Sequence, residues 1–459
     1  MLKNLTIENI VKVTGGKYYG PDELLYTCVE GVDLDSRKIE AGYLFIATKG
    51  ERVDGHSFIE SVLEKGALAV IGEDDCREEW KPYIKVESSF KALKDIAKFY
   101  RMQLDIPIVG VTGSVGKTGT KEAIAAVLST KYDVLKTAGN FNNEVGLPLT
   151  VLRIRDNHQV AVLEMGISDF GEMHRLAEIA IPDICVMTNI GLCHLENLGT
   201  QEGIYKAKSE AFEHMNGDGK IVLFADDPIL STKTDINGNK PFFFGTKESS
   251  FIYAKNINNL GLLGSEFVLC NENNEYNAKV NLPGYHSVIN STAAAAVGKL
   301  LGLDMKEIVE GISQIKAING RSNLIQTDKY LIIDDCYNAN PVSMKEAIDL
   351  LTSANGRKVA VLGDMFELGE NSDALHYSVG EYAADKNIDV IVLAGKNSLN
   401  MLAALKDKGK ENDVSYFEDT DTLLASISNI IKEGDSILIK ASHGMHYEKI
   451  LNKLETETI

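Results

Sequence analysis

The sequence predicts an α/β protein of three domains: a small α/β N-terminal domain, a central parallel-sheet domain and a smaller, Rossmann-like C-terminal domain. Three observations predict it. The chain has 459 residues, and roughly 150 residues per domain gives about three. Short β-branched apolar runs alternate with helical spacing through much of the chain, which implies parallel sheets with crossover helices. A strand that ends in a Gly-rich turn, followed by Gly116-Lys117-Thr118, opens the central block.

The first block, from Met1 to about Glu87, holds the apolar pieces Tyr43 to Thr48 and Ala67 to Ile71. A helical pattern from about Ser89 to Met102 marks the first boundary. In the second block Ile108 to Val111, Val160 to Leu163, Ile184 to Met187 and Lys220 to Phe224 read as buried strands. Lys121 to Ser129, Met173 to Ile179 and Lys206 to Glu213 have helical spacing. Phe242 to Leu282 turns polar and Asn-rich, which predicts antiparallel strands, and an Ala-rich helix follows from Ser291 to Leu301. The third block begins near Ile318. Its strands are Leu331 to Ile333, Val359 to Leu362, Val390 to Leu393 and Ile437 to Ile439.

Apolar residues make up 44% of the chain and charged residues 25%, which excludes a disordered or disulfide-scaffold protein. A net charge of −19 makes a poor non-specific nucleic-acid binder but leaves room for a small anionic substrate in a local cationic pocket. No apolar run reaches the ~18 residues of a membrane span, and the N-terminus lacks a signal-peptide pattern. The six cysteines show no C-x-x-C spacing, so they read as reduced thiols of a cytoplasmic protein.

Ile108 to Glu122, IVGVTGSVGKTGTKE, carries the sharpest chemistry. Glycines let backbone N–H groups approach phosphates, and the helix N-terminus adds partial positive charge. Lys117 suits terminal phosphates, and the Thr118 hydroxyl suits Mg²⁺. The spacing departs from G-x-x-x-x-G-K-[ST], because Val111 stands where the first glycine is usual and Gly113 serves instead. Glu164 ends a buried strand, where open α/β sheets place ligands, and a carboxylate suits Mg²⁺. Taken locally, His194 reads as a structural histidine, and Lys206 and Lys208 as a solvated helical face. Asp334, Asp335, Tyr337, Asn338 and Asn340 form a dense polar cluster after a strand, with Arg321 shortly before it. Turns also favour Asn and Asp.

Together these residues resemble the Mur ligases, ATP-dependent amide-bond enzymes of peptidoglycan precursor synthesis. The marks are Asp35-Ser36-Arg37, ATKGERVDGH from Ala47 to His56, TGSVGKT, and TAGNFNNEVGLPLT from Thr137 to Thr150. EMG at Glu164 to Gly166, TNIGLCHLENLGT, AKSEAF, DDCYNANPVSM and GDMFELG follow. GNFNNEVG and YNANP are most similar to the branch that joins D-alanyl-D-alanine to UDP-N-acetylmuramoyl-tripeptide. The chain departs from frequent family residues at Ser287 and His443.

The resemblance implies a UDP-sugar domain at 1–88, an ATP domain at 89–317 and a dipeptide domain at 318–459. It implies ATP and Mg²⁺ as cofactors, an acyl-phosphate intermediate and a cytoplasmic monomer. The ATP residues would be Thr112, Gly113, Ser114, Val115, Gly116, Lys117, Thr118 and Gly119, with Asn290 at the adenine. Arg321 and Asp335 would reach ATP on domain closure. Lys208 would be carbamylated and would help bind a second Mg²⁺ with His194 and Glu164, in addition to the Mg²⁺ at Thr118. Lys117, Lys208, His194 and Arg321 are the implied catalytic set. Asp35, Ser36 and Arg37 would bind UDP. Asn140, Asn142 and Asn143 would lie near the sugar peptide, and Tyr337, Asn338 and Asn340 would also contact substrate. The alternatives are a sister Mur ligase, a folylpolyglutamate synthase-like ligase, a P-loop kinase and a non-catalytic nucleotide-binding protein.

Overall fold

The computed structural model of the chain describes residues 2–50, 53–272 and 274–456. Glu51 and Arg52 of the 47–56 motif lie outside the described residues. The chain forms two compact units: Met1–Asn189 with Tyr205–Phe243, and Ile190–Ile204 with Phe244–Ile459.

The first unit carries two groups of strands. β1 (Lys17–Tyr19), β2 (Val32–Asp33), β3 (Leu44–Ile46), β4 (Ala69–Gly72) and β5 (Tyr83–Lys85) form a sheet in the order β1-β5-β4-β3-β2, antiparallel only at β1. Phe45, Val70, Ile59, Val62, Trp80 and Tyr83 pack together as its core. β6 (Ile108–Thr112), β7 (Val134–Lys136), β8 (Val160–Glu164), β9 (Ile184–Met187) and β10 (Lys220–Phe224) run parallel in the order β10-β9-β6-β8-β7. β6, β8 and β9 are buried along their whole length, because helices cover both faces of such a sheet. Strand order reverses at β6, with β8 on one side and β9 on the other. The C-terminal end of such a strand is where open α/β sheets bind ligands.

In the second unit β11 (Phe242–Gly245, its last two residues) pairs parallel with β12 (Ile252–Asn259). β13 (Ser265–Asn271) and β14 (Asn274–Val280) continue antiparallel. The antiparallel expectation for 242–282 therefore holds for β12 to β14 and fails at β11. β15 (Asn323–Gln326), β16 (Leu331–Asp334), β17 (Lys358–Gly363), β18 (Val390–Ala394), β19 (Val414–Phe417) and β20 (Ser436–Lys440) form a sheet ordered β15-β16-β20-β17-β18-β19. Only β15 is antiparallel. Ile332, Val361 and Ile439 enter one apolar cluster, and Ile333, Leu362 and Leu438 the other. Alternate residues thus feed two cores, as a doubly covered sheet requires.

Several helices differ from the sequence expectation, among them Ile7–Thr14 and Met305–Ser313, which it does not name. The Ala-rich helix starts at Tyr285, six residues early, because Gly284 at φ 89° ends the preceding turn. The stretch Lys206 to Glu213 is not one helix. An α-helix runs Gln201–Ser209 and tightens into a 3₁₀ turn, Glu210–Phe212. The helix Gly146–Val151 has no counterpart among the expected elements.

Candidate functional site

β6 delivers the chain into the turn 113–116, and the helix Lys117–Leu128 leaves it. Gly113 has φ 141°, and a Cβ there would lie 2.0 Å from the Thr188 hydroxyl. Gly116 caps the helix at φ 84°. Neither position accepts an ordinary side chain without strain. The turn is held from outside by the end of β9. Asn189 accepts the Ser114 N–H through its backbone carbonyl (3.0 Å) and the Val115 N–H through Oδ1 (2.9 Å). Thr188 and Asn189 side chains both donate to the Val115 carbonyl, at 2.6 and 3.0 Å. Lys117 Nζ folds across the turn and donates to the carbonyls of Gly113 (2.8 Å) and Ser114 (3.2 Å). Thr112 and Ser114 are buried, and Gly119 lies in the first turn of the helix.

Behind this loop stands Glu164, buried at the end of β8. Its Oε1 accepts from the Thr118 hydroxyl at 3.1 Å and from the Asn142 amide at 2.8 Å. Its Oε2 is buried with no hydrogen-bond partner among the described residues, and Lys121 Nζ is 3.7 Å away. Lys121 is itself buried and donates to the Thr137 carbonyl at 2.8 Å. A buried carboxylate oxygen left without a donor, beside a threonine hydroxyl, is an oxygen set that fits a hard divalent cation.

Lys206 and Lys208 part company. Lys206 is exposed, whereas Lys208 is 0% exposed, so the solvated-face reading fails for Lys208. Two residues on a helix are about 200° apart, so the two side chains leave opposite faces.

Near the N-terminal sheet, Asp35 caps the 3₁₀ turn Ser36–Lys38 and takes the Arg37 guanidinium on both oxygens at 2.8 Å. Those hydrogen bonds hold its carboxyl at about 2. Arg37 remains 87% exposed. Lys65 Nζ donates to the Ser36 carbonyl at 2.9 Å. Phe141 carries Lys38 Nζ at 5.6 Å and Arg153 Cζ at 5.0 Å from its ring centroid. This region therefore gathers four cationic side chains, Arg37, Lys38, Lys65 and Arg153, and an aromatic face, which suits an anionic, ring-bearing ligand. Asn143 caps the helix Gly146–Val151 by accepting from the N–H groups of Val145 and Gly146, and Asn140 is exposed.

In the second unit Arg321 sits in a turn fastened by two aspartates. Asp334 Oδ2 accepts from the Gly320 N–H (2.6 Å), and Asp335 Oδ1 from the Ser322 N–H (2.9 Å). Lys440, buried, donates to Asp335 Oδ2 at 2.6 Å and to the Asn338 carbonyl at 3.0 Å. The Arg321 guanidinium lies 4.2 Å over the Tyr337 ring, whose other neighbour is His443, stacked at 5.5 Å. Asn340 caps the helix Pro341–Thr352 in a capping box with Ser343. His194, at φ 52°, puts Nδ1 2.8 Å from Glu367 Oε2 and holds that carboxyl below its usual range. Asn290 is half-buried on the helix Tyr285–Leu300.

Sequence reasoning missed Asn189, Lys121, Phe141, Arg153, Glu367 and Lys440. Asn189 carried a signal, since it stands two residues past a buried strand, although the sequence assigned it no role. The others act through partners distant in sequence.

Three family profiles match the chain. The "Mur ligase family, catalytic domain" matches residues 29–101, the "Mur ligase middle domain" 111–298 and the "Mur ligase, glutamate ligase domain" 320–443. A relative from Bacillus subtilis (strain 168), named UDP-N-acetylmuramoyl-tripeptide--D-alanyl-D-alanine ligase, is 38% identical over 98% of both chains. The crystal structure of MurF from Acinetobacter baumannii superposes with a TM-score of 0.89 at 31% identity, covering 99% of each chain. MurF ligase from Thermotoga maritima in complex with ADP gives a TM-score of 0.80 at 31% identity over 93% of this chain and 97% of that one.

Proposed function

Since the chain belongs to the Mur ligase family, we propose that it joins D-alanyl-D-alanine to UDP-N-acetylmuramoyl-tripeptide with hydrolysis of ATP to ADP and phosphate. It is an ATP-dependent, ADP-forming ligase of peptidoglycan synthesis. One observation carries the reading from the structural side. A single buried carboxylate oxygen, Glu164 Oε1, receives both the phosphate-loop Thr118 and Asn142 of the GNFNNEVG segment. The nucleotide loop and the segment assigned to the sugar peptide are thereby built as one piece. The family profile at 29–101 covers the N-terminal domain that a folylpolyglutamate synthase-like ligase lacks, so that alternative is not favoured.

A carboxylate is a poor acyl donor, because its leaving group would be oxide. Moving the γ-phosphoryl group of ATP onto the tripeptide carboxylate gives an acyl phosphate. The dipeptide amine attacks its carbonyl, the tetrahedral adduct collapses, and phosphate departs. The loop N–H groups and Lys117 neutralise charge on the phosphoryl oxygens, which is most of what phosphoryl transfer asks of a protein. Thr118 and Glu164 are the residues that would hold Mg²⁺, which when bound adds positive charge beside the phosphates. Lys208, as the carbamate, and His194 complete the proposed metal set. Asn290, Arg321 and Asp335 are proposed ATP residues. Asp35, Ser36, Arg37, Asn140, Asn142, Asn143, Tyr337, Asn338 and Asn340 are proposed for substrate. The proposed domains are 1–88, 89–317 and 318–459.

Among the described residues no helix is long and apolar enough to cross a membrane. A cytoplasmic monomer is part of the proposal. The test is ADP release from ATP and Mg²⁺ with UDP-N-acetylmuramoyl-tripeptide, with and without D-alanyl-D-alanine. Release that needs both supports the reading, and release with a different amine moves it to a sister ligase.

A further inference from the structure

A second group of ligand-type side chains lies in the first unit, built by none of the residues assigned above. His174 is in the first turn of the helix Glu172–Ala180, and Glu213 and His214 follow the 3₁₀ turn Glu210–Phe212. His174 Nδ1 is 2.8 Å from Glu213 Oε2. His214 Nε2 is 3.2 Å from both ring nitrogens of His174, and the rings meet edge-on at 74° with centroids 4.3 Å apart. One ligand atom from each of the three residues lies within 4.8 Å of the others. Two atoms bound to one tetrahedral zinc at about 2.0–2.1 Å stand roughly 3.3–3.4 Å apart. The observed spacing is close to that, so small side-chain rotations suffice to seat an ion.

We propose that His174, Glu213 and His214 bind a divalent transition metal of the zinc class, tying the helix Glu172–Ala180 to the chain that leaves the helix carrying Lys208. Two imidazoles and one carboxylate suit Zn²⁺, Ni²⁺ or Cu²⁺, whereas Mg²⁺ prefers an all-oxygen set. The three side chains are half-buried or exposed, so a fourth position is open to water. The scaffold is already docked. The Glu210 carboxylate accepts from the Gly171 N–H and the His174 N–H, each at 3.1 Å, at the positive end of the helix.

The experiment titrates the metal-free, full-length protein with Zn²⁺ in excess Mg²⁺ against a chromophoric chelator. It is repeated with His174→Ala, His214→Ala and Glu213→Gln. The six cysteines offer competing sites, so the reading is the difference between wild type and variants. Wild type is expected to take up one more equivalent than either histidine variant. Glu213→Gln, which keeps the side-chain shape, is expected to bind at least about 100-fold more weakly, since even outer-sphere changes cost 10–100-fold. Co²⁺ in that site should give tetrahedral visible bands without thiolate charge transfer. Equal stoichiometry and affinity in wild type and all three variants would overturn the proposal.

Discussion

Lys121 Nζ stands 3.7 Å from Glu164 Oε2, and both side chains are almost completely buried. Lys121 is fixed there by the Thr137 carbonyl, so its charge offsets that of a carboxylate which the sequence alone presents as isolated. Truncating one member of a buried pair strands the other. Lys121→Met is expected to cost about 3 kcal/mol of stability. Denaturant unfolding checks the stability, and ADP release should fall in the same variant.

Lys117 bridges its own loop through two carbonyls, which costs the fold little to lose. Lys117→Ala should therefore unfold normally but lose about 10²–10³-fold or more in kcat, the scale of one electrostatic contact to a transferring group. Steady-state ADP release measures it. Near wild-type turnover would remove Lys117 from the mechanism.

The complete burial of Lys208 makes a different prediction. Lys208→Ala should abolish ADP release, and a small carboxylic acid such as formate or acetate should restore part of it by supplying the oxygen ligand of the carbamate. No rescue across a range of acids, in a variant that is folded by circular dichroism, would count against carbamylation.

Gly113→Ala would drive a methyl group to 2.0 Å from Thr188 Oγ1 at a φ that disfavours side chains. The loop must shift, and a displacement of about 1 Å can cost 10²-fold in rate. Nucleotide affinity by calorimetry should weaken in parallel. Ser114→Ala, which keeps the backbone, should leave the loop in place.

Arg37 is exposed, and among the described residues its guanidinium is held by Asp35. Arg37→Ala should raise KM for the UDP-sugar substrate while leaving the melting temperature nearly unchanged. The same variant should release the Asp35 carboxyl from about 2 toward its ordinary 3.8, read by NMR titration. A depressed carboxylate pKa favours the fold above its unfolded value. Any such contribution from Asp35 is present above pH ~4 and fades as the pH falls toward 2.

How much was readable beforehand follows from burial. β6, β8, β9 and β10 are continuous apolar runs because both faces of their sheet are covered, and each was found within a residue of its observed ends. β15 and β19 are half-buried edge strands with mixed composition, and they carry neither a run nor an alternation. The phosphate loop was legible because its chemistry is contiguous. The tertiary half of the site was not. Nothing local to Asn189 says that it holds Val115, and nothing local to Lys440 says that it reaches Asp335. Helical geometry does say that Lys206 and Lys208 point opposite ways, but it cannot say which one turns inward.

The turn that carries Arg321 has little slack. Its amides are fastened to Asp334 and Asp335 at the tip of β16, and Asp335 is in turn gripped by Lys440 at the tip of the neighbouring β20. The guanidinium is thus mounted on the six-stranded sheet like a tooth on a gear. A rotation of that sheet carries the backbone of Arg321 with it.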